Sequence, residues 1–147
     1  VLRPQYVSEE AVVDRCSIGE GAEIYGEVHN SVIGADVWIE KGAVVKDSII
    51  MRHSRIGAGS TVDKAIIAEN VRVGRDVHIG VGEEAPNVLK PNIYAFGLAT
   101  IGENSVIPDH VSIGRNTAVA GQTCAEDYPD GQLPGGGALL KKDGDKA

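Results

Sequence analysis

The four histidines are the side chains of this sequence best suited to acid–base chemistry or metal binding, and they are His29, His53, His78 and His110. Zinc ligands on one element usually follow a close spacing such as HxxxH, and no two of these histidines stand so near each other. No paired carboxylates and no Ser-His-Asp or Cys-His arrangement can be defended from spacing either. We interpret the histidines as surface residues and predict no catalytic residue and no metal ligand in this chain.

Three glycine pairs could be taken for phosphate-binding loops, namely Gly19-x-Gly21, Gly57-x-Gly59 and Gly80-x-Gly82. Neither GxxxxGK[ST] nor GxGxxG is present, and no helix is predicted after any pair to offer its N-terminus to a phosphate. Glycine also adopts tight-turn conformations without steric cost. Corners of a repeating structure are therefore the better interpretation.

An internal repeat organises the chain. From residue 30 it can be written in three blocks of 17, NSVIGADVWIEKGAVVK, DSIIMRHSRIGAGSTVD and KAIIAENVRVGRDVHIG, which stay in register at three aliphatic positions. Within a block these positions are six, six and five residues apart, which matches neither a helix nor a single strand. The aligned sets are Ile33, Ile50 and Ile67; Ile39, Ile56 and Val73; and Val45, Val62 and Ile79. Farther along, Ile101, Ile107, Ile113 and Val119 repeat the step of six.

Three hexapeptides, each forming one short strand and one corner, would build a triangular coil, and stacked coils would form parallel sheets. The spacing therefore predicts an all-β, single-stranded left-handed parallel β-helix. Aromatic residues are only 4 % of the chain, which suits a narrow core of Val and Ile. We predict the β-helix over 1–121, a loop at about 80–94 with Tyr94 and Phe96 re-entering the helix, and a closing segment with a flexible tail over 122–147.

Outward positions precede each inward aliphatic residue, because sides alternate along a strand. One face would carry the apolar stripe Val32, Ile49 and Ile66, which we predict to be an interface, although β-propensity alone could also explain it. The next face would carry Trp38, Arg55 and Arg72. That column could be a cation–π ladder, a binding patch for a phosphorylated effector or other anion, or a solvated face.

Composition narrows the function classes. The net charge of −7 makes a nucleic-acid or anionic-membrane partner a poor expectation, and no apolar run has the length of a membrane span. No signal peptide is visible, and the two cysteines suit a reducing compartment, so we predict a cytoplasmic protein. Cys16 and Cys124 should lie several coils apart, too far for a disulfide.

Longer runs of the sequence resemble the C-terminal β-helix domain of bacterial glucose-1-phosphate adenylyltransferase, also called ADP-glucose pyrophosphorylase. The resemblance extends from residue 4 to residue 121. It rests on PQYV at 4–7, IYGEVHNSVIG at 24–34, GAVVKDSIIM at 42–51, IGAGSTV at 56–62, AIIAENVRVG at 65–74 and VIPDHVSIG at 106–114. The tail GQLPGGGALLKK at 131–142 is similar to the short closing segment of that family.

The resemblance implies a parent enzyme that makes ADP-glucose from ATP and glucose 1-phosphate for glycogen synthesis, using ATP and Mg. Catalysis would lie in an N-terminal nucleotidyltransferase domain. No GxGxRL-like loop of that domain occurs here, so this chain alone should be inactive and needs no cofactor. The family β-helix packs on the catalytic domain, helps build homo- or hetero-oligomers and shares the effector site.

Two departures from the family pattern leave alternatives open. Where family members with a well-defined effector site carry arginines, this chain has AEDYPD at 125–130, with positive charge only at Lys141 and Lys142. The loop before Ile101 is also longer than a plain family coil. The main alternative function is a free-standing hexapeptide acyltransferase, which would form a trimer, place a His in a cleft between subunits and bind an acyl-CoA. A related nucleotidyltransferase, a non-catalytic regulatory subunit of the same enzyme and a purely structural β-helix module are further alternatives.

Overall fold

The computed structural model describes residues 4–141, which form twenty short strands and two 3-10 turns. Within this range no helix has the length and apolar character needed to cross a bilayer. The 3-10 turns are Ala125–Asp127 and Pro129–Gly131. The strands are β1 (Tyr6–Val7), β2 (Val12–Asp14), β3 (Ser17–Ile18), β4 (Glu23–Ile24), β5 (Glu27–His29), β6 (Val32–Ile33), β7 (Trp38–Ile39), β8 (Val44–Lys46), β9 (Ile49–Ile50), β10 (Arg55–Ile56), β11 (Thr61–Asp63), β12 (Ala65–Ile67), β13 (Arg72–Val73), β14 (His78–Val81), β15 (Ala99–Ile101), β16 (Val106–Ile107), β17 (Ser112–Gly114), β18 (Thr117–Ala120), β19 (Gln132–Leu133) and β20 (Ala138–Leu140).

Up to β18 every third strand joins the same sheet, and β19 and β20 then extend two of the three sheets. The chain is a left-handed parallel β-helix of triangular section, as predicted. Sheet A has the order β1-β4-β7-β10-β13-β16, sheet B contains β2-β5-β8-β11-β14-β17-β19, and sheet C contains β3-β6-β9-β12-β15-β18-β20. Successive strands pair in parallel, so each turn around the triangle adds one coil at about 4.8 Å. We number the coils 1 to 7 from the N-terminus.

The predicted register is confirmed at the aliphatic positions. Ile50 pairs with Ile33 below it and Ile67 above it, and all three side chains are at most 1 % exposed. The other two sheets repeat this arrangement with Ile56 and Val62 at their centres. The core is therefore three aliphatic columns that meet along the axis of the prism.

Serines beside the core columns connect one coil to the next. The Ser54 hydroxyl donates to the Ala68 carbonyl at 2.7 Å and accepts the Val71 N–H at 3.0 Å. Ser60 makes the equivalent bonds to Gly74 and Val77. A small polar residue here both fits beside the large aliphatic one and satisfies backbone groups that the corner leaves unpaired.

The first coil leaves one end of the core open. Val7 and Val13 are in register with the fully buried Ile24 and Val28, yet they are 42 % and 39 % exposed. They point along the same inward columns but have no coil beneath them. The described part of the prism therefore ends at β1–β3 in unpaired strand edges and uncovered apolar side chains.

The loop differs in extent from the prediction. It follows Val81 and reaches Leu98 rather than running from 80 to 94, and regular pairing resumes at Ala99. Tyr94 and Phe96 do not re-enter the core, and Phe96 is 82 % exposed. The physical reason is that the inward positions of sheet C at this coil are filled by Ala99 and Ile101, which follow the aromatic residues in the sequence. The aromatic rings are therefore left outside the core.

The stacking continues beyond residue 121, where the β-helix was predicted to end. β19 pairs with β17 and β20 pairs with β18, which adds a seventh coil through Leu140. The two 3-10 turns lengthen this coil and disrupt the step of six, which is why the spacing hid it. Tyr128 is buried beneath the turns, where burial raises its pKa to about 12 and its hydroxyl lies 2.8 Å from Thr123 Oγ1.

Candidate functional site

The apolar stripe lies on the outer surface of sheet C. Val32 pairs with Ile49 and Ile49 pairs with Ile66, so the three side chains stand directly above one another on coils 2, 3 and 4. Val32 is 48 % and Ile49 is 41 % exposed, and Ile66 is half-buried. The structure therefore places these three predicted residues together in one exposed apolar column.

Sheet A carries an aromatic ladder that ends in an arginine. The Tyr6 and Tyr25 rings are 5.6 Å apart, Tyr25 and Trp38 stack at 5.6 Å, and the Arg55 guanidinium lies 5.0 Å over Trp38. Tyr25 donates to Glu23 at 2.7 Å, and this hydrogen bond raises the pKa of the Tyr25 phenol. A cation–π ladder was one of three interpretations of the Trp38, Arg55 and Arg72 column from the sequence, beside an anion-binding patch and a solvated face. The tyrosines were not part of that prediction, because Tyr6 precedes the regular blocks and Tyr25 follows an inward residue instead of preceding one.

The predicted anion-binding cations occupy two separate regions. Arg55 and Arg72 pair as neighbours on sheet A, and Arg55 also contacts Glu40 at 3.3 Å. Lys141 follows β20 on coil 7, where its ammonium group donates to Asp127 at 3.1 Å. Two coils and a corner separate Arg72 from Lys141. Lys142 lies outside the described residues.

Asp127 is the centre of a compact polar cluster in the closing coil. Its Oδ2 accepts the Cys124 backbone N–H at 2.9 Å and the Lys141 ammonium at 3.1 Å, and these bonds hold the pKa of the Asp127 carboxyl below its usual value. The carboxylate thus fixes the 3-10 turn and ties the end of the chain to it. Cys124 and Cys16 are both free thiols, as expected from the number of coils between them.

The histidines lie at scattered points of the surface. His53 and His110 occupy left-handed corner positions, each 3.6 Å from an aspartate, and His78 Nδ1 is 2.8 Å from Thr61 Oγ1 on sheet B. Among residues 4–141 no three His, Cys, Asp or Glu side chains converge as a metal site. Individual imidazoles therefore lie near carboxylates, but within residues 4–141 these side chains do not converge into a set of metal ligands.

The loop at 82–98 is the surface feature that sequence reasoning missed. It exposes four large apolar side chains: Val88 by 73 %, Leu89 by 56 %, Ile93 by 65 % and Phe96 by 82 %. Sequence reasoning took this segment as loop chemistry because of its Gly, Pro and Asn residues. The signal was present in NVLKPNIYAF at 87–96, where apolar residues stand together as VL and IYAF on either side of a Lys-Pro-Asn turn sequence.

The fold and its exposed apolar surfaces place this protein in the class of hexapeptide-repeat β-helix proteins. The chain belongs to the family described as GlmU-like, C-terminal hexapeptide, whose profile matches residues 4–88. Its curated relatives are more specific: they are glucose-1-phosphate adenylyltransferases, as the sequence resemblance indicated.

Three of these relatives illustrate the match. The enzyme of Lachnospira eligens is 55 % identical over 140 residues, which are 95 % of this chain and 33 % of the relative. That of Thermotoga neapolitana is 44 % identical over 97 % of this chain and 34 % of its own length. That of Acetivibrio thermocellus is 38 % identical over 92 % of this chain and 32 % of its own length. The chain thus spans about a third of the relatives it matches, in their C-terminal part.

Among solved structures, similarity extends to a mutant of GDP-perosamine N-acetyltransferase from Caulobacter crescentus in complex with CoA and GDP-perosamine. The TM-score is 0.57 with 18 % identity, and the match covers 95 % of this chain and 54 % of that chain. At this level of identity the likeness shows a shared β-helix fold alone.

Proposed function

We propose that this chain is the regulatory and oligomerisation domain of an enzyme that converts ATP and glucose 1-phosphate into ADP-glucose and pyrophosphate in the cytoplasm. The observation that carries the proposal is the 55 % identity to a glucose-1-phosphate adenylyltransferase over nearly all of this chain but only 33 % of the relative. Nucleotide transfer, with ATP and Mg as its requirements, is assigned to the preceding part of the complete protein. The β-helix is assigned to assembly and control.

Assembly is assigned to the apolar stripe of Val32, Ile49 and Ile66. A parallel β-helix already satisfies its backbone within each sheet, so aliphatic side chains on its outer surface gain little unless another surface covers them. Stacked β-branched residues also form a flat and rigid column, because their side chains have few rotamers to lose on binding. These properties suit a permanent contact between subunits or domains.

Control is assigned to Arg55 and Arg72 on sheet A, as a patch for a phosphorylated effector. Trp38 and Glu40 hold the Arg55 guanidinium in place, and Arg72 pairs directly above it. Because these two arginines are neighbours on adjacent strands, both guanidinium groups can donate hydrogen bonds to the same phosphate. Lys141 and Lys142 are a second proposed cationic element, and an anion there competes with Asp127 for the Lys141 ammonium.

One pair of variants of the complete protein separates these two roles. We expect Ile49→Asp to weaken assembly, because a carboxylate would have to lose its hydration in an apolar contact. We expect Arg55→Ala combined with Arg72→Ala to keep assembly and to shift the activation curve of a phosphorylated effector towards higher concentration. Sedimentation velocity and effector titration would both be recorded for each variant.

The crossed design provides its own controls. The substituted side chains are all exposed, so circular dichroism should report a folded β-helix for both variants. Unchanged sedimentation of Ile49→Asp would remove the stripe from the interface, and an unaltered activation curve of the arginine variant would dismiss the anion patch. Binding of an acyl-CoA to the protein would instead favour the alternative acyltransferase function.

A further inference from the structure

We infer that the first half of the loop, residues 83–90, and the closing coil, residues 122–141, form one cooperative unit that opens and closes together while coils 1–6 stay folded. This conformational device is a property of the chain itself and goes beyond the proposed function. Its starting point is a buried contact between Asn87 and Gly137, which are 50 residues apart in the sequence. The two segments hold each other through that contact and its neighbours.

Asn87 lies between the loop, coil 6 and the closing coil. Its side chain is 3 % exposed, and its Nδ2 donates to the Asn116 carbonyl at 2.9 Å and to the Gly137 carbonyl at 3.3 Å. Its Oδ1 accepts the N–H groups of Leu89 and Lys90 at 2.8 and 3.0 Å. When the closing coil opens, this amide loses one of its partners, and the turn of the loop that it supports is weakened.

The glycines of PGGG at 134–137 let the backbones of the two segments touch. The Val88 N–H donates to the Gly136 carbonyl at 2.9 Å. A Cβ on Gly135 would lie 2.6 Å from the Glu83 carbonyl oxygen, and a Cβ on Gly136 would lie 3.1 Å from that of Ala85. Such an approach leaves no room for a side chain. The run of glycines is therefore explained by the contact between the closing coil and the loop.

The closing coil has fewer strand pairings than the coils beneath it. Each of coils 1–6 contributes three strands, whereas the closing coil contributes β19 and β20 alone. Its two ends are tied by Asp127, which accepts the Cys124 N–H at 2.9 Å and the Lys141 ammonium at 3.1 Å. Segments with fewer backbone hydrogen bonds open at a lower free energy than the core of a protein. The closing coil is thus expected to open before coil 6.

The second half of the loop is attached differently. The Gly97 N–H donates to Asn116 Oδ1 at 2.8 Å, and Asn116 belongs to coil 6. Regular pairing with coil 4 then resumes at Ala99. Residues 97–107 should therefore stay closed when the unit opens, which makes them an internal control.

The coupling makes the conformation of each segment depend on the other. A ligand or partner that binds the closed form of the closing coil would also stabilise the closed form of residues 83–90, and the reverse holds equally. The device therefore transmits binding at one end of the prism to the loop beside sheet C.

Hydrogen exchange of the complete protein, read by mass spectrometry at low urea concentrations, tests the inference without any substitution. Peptides from 83–90 and from 122–141 should show one common dependence of the opening equilibrium on urea. Peptides from 97–107 should exchange more slowly and with a steeper dependence. Two distinct dependences for the loop and the closing coil would overturn the inference.

Two variants test reciprocity. Asn87→Ala should speed exchange at 125–131 by about tenfold or more, because buried hydrogen bonds of the unit are lost. Asp127→Ala removes the ties to Cys124 and Lys141 and should speed exchange at 83–90 by a similar factor. Each substitution is thus read in the segment that does not contain it, where a purely local effect would not appear.

Val28→Ala provides the matched control at the other end of the prism. Val28 is fully buried in coil 2, so its truncation should destabilise that coil and leave exchange at 83–90 and 125–131 unchanged. Faster exchange confined to the substituted segment of Asn87→Ala or Asp127→Ala would contradict the coupling. So would equal acceleration of both segments by Val28→Ala, because the segments would then open only by global unfolding.

Discussion

Ile50→Ala is expected to lower the free energy of unfolding of the β-helix by about 2–5 kcal/mol. The Ile50 side chain is fully buried between Ile33 and Ile67 at the middle of the stack. Removing three carbons there leaves a cavity that rigid coils above and below cannot close. Urea titration followed by circular dichroism would measure the change in midpoint.

The adjacent isoleucine provides a matched control. Ile49 is on the same strand but faces outward and is 41 % exposed. Ile49→Ala removes the same atoms but leaves little cavity. It should therefore change the free energy of unfolding of the isolated β-helix by no more than about 1 kcal/mol. Equal destabilisation by the two substitutions would contradict the assignment of inward and outward positions, on which the interface proposal depends.

Gly80→Ala is expected to destabilise the protein by at least about 2 kcal/mol, because two penalties coincide. Gly80 has a φ of 89°, and a Cβ at this position would lie 2.0 Å from the Asp63 carbonyl oxygen. That oxygen belongs to the backbone of the coil below, so relief requires the two coils to separate. Thermal unfolding of the variant would record the loss as a lower melting temperature.

Gly82→Ala separates the two penalties. Gly82 has a φ of 79° but nothing within 4 Å of the added Cβ. The only penalty in this variant is the left-handed backbone conformation, which should lower the free energy of unfolding by about 1–2 kcal/mol at most. Its melting temperature should therefore be higher than that of Gly80→Ala. If both variants melted at the same temperature, close approach between coils 4 and 5 would not limit this corner.

The aliphatic columns could be predicted from the sequence because each coil repeats the same packing problem. Ile33, Ile50 and Ile67 solve it identically, so a spacing of 17 residues reports a distance of one coil in space. The left-handed corners at Asp36, His53 and Asn70 follow the same period. One-dimensional stacking makes such periodicity visible where an ordinary globular core would hide it.

The loop and the last coil could not be predicted in the same way, because long-range hydrogen bonds determine them. Asn87 reaches Asn116 and Gly137, which are 29 and 50 residues away, and no periodicity encodes such contacts. The tie between Asp127 and Lys141 closes the seventh coil after an interruption by two 3-10 turns. Both features arise where the repeat is broken.

The candidate surfaces likewise include features that the repeat predicts and features that it does not. Alternation along short strands was sufficient to place Val32, Ile49 and Ile66 in one exposed column and Arg55 beside Arg72. It could not show that Lys141 is engaged by Asp127, since that contact depends on the closing turn. Nor could it show the exposure of Phe96, which depends on how the loop is anchored.

The intact mass of the native polypeptide that co-purifies with ADP-glucose-forming activity tests the central claim most directly. This chain has a mass of 15.4 kDa and matches 33 % of its Lachnospira eligens relative. The proposed function predicts a native polypeptide of about three times the mass of this chain, with ATP- and glucose-1-phosphate-dependent release of pyrophosphate. A native polypeptide near 15.4 kDa without that activity would contradict the claim, and the acyltransferase alternative would then be tested by acyl-CoA binding.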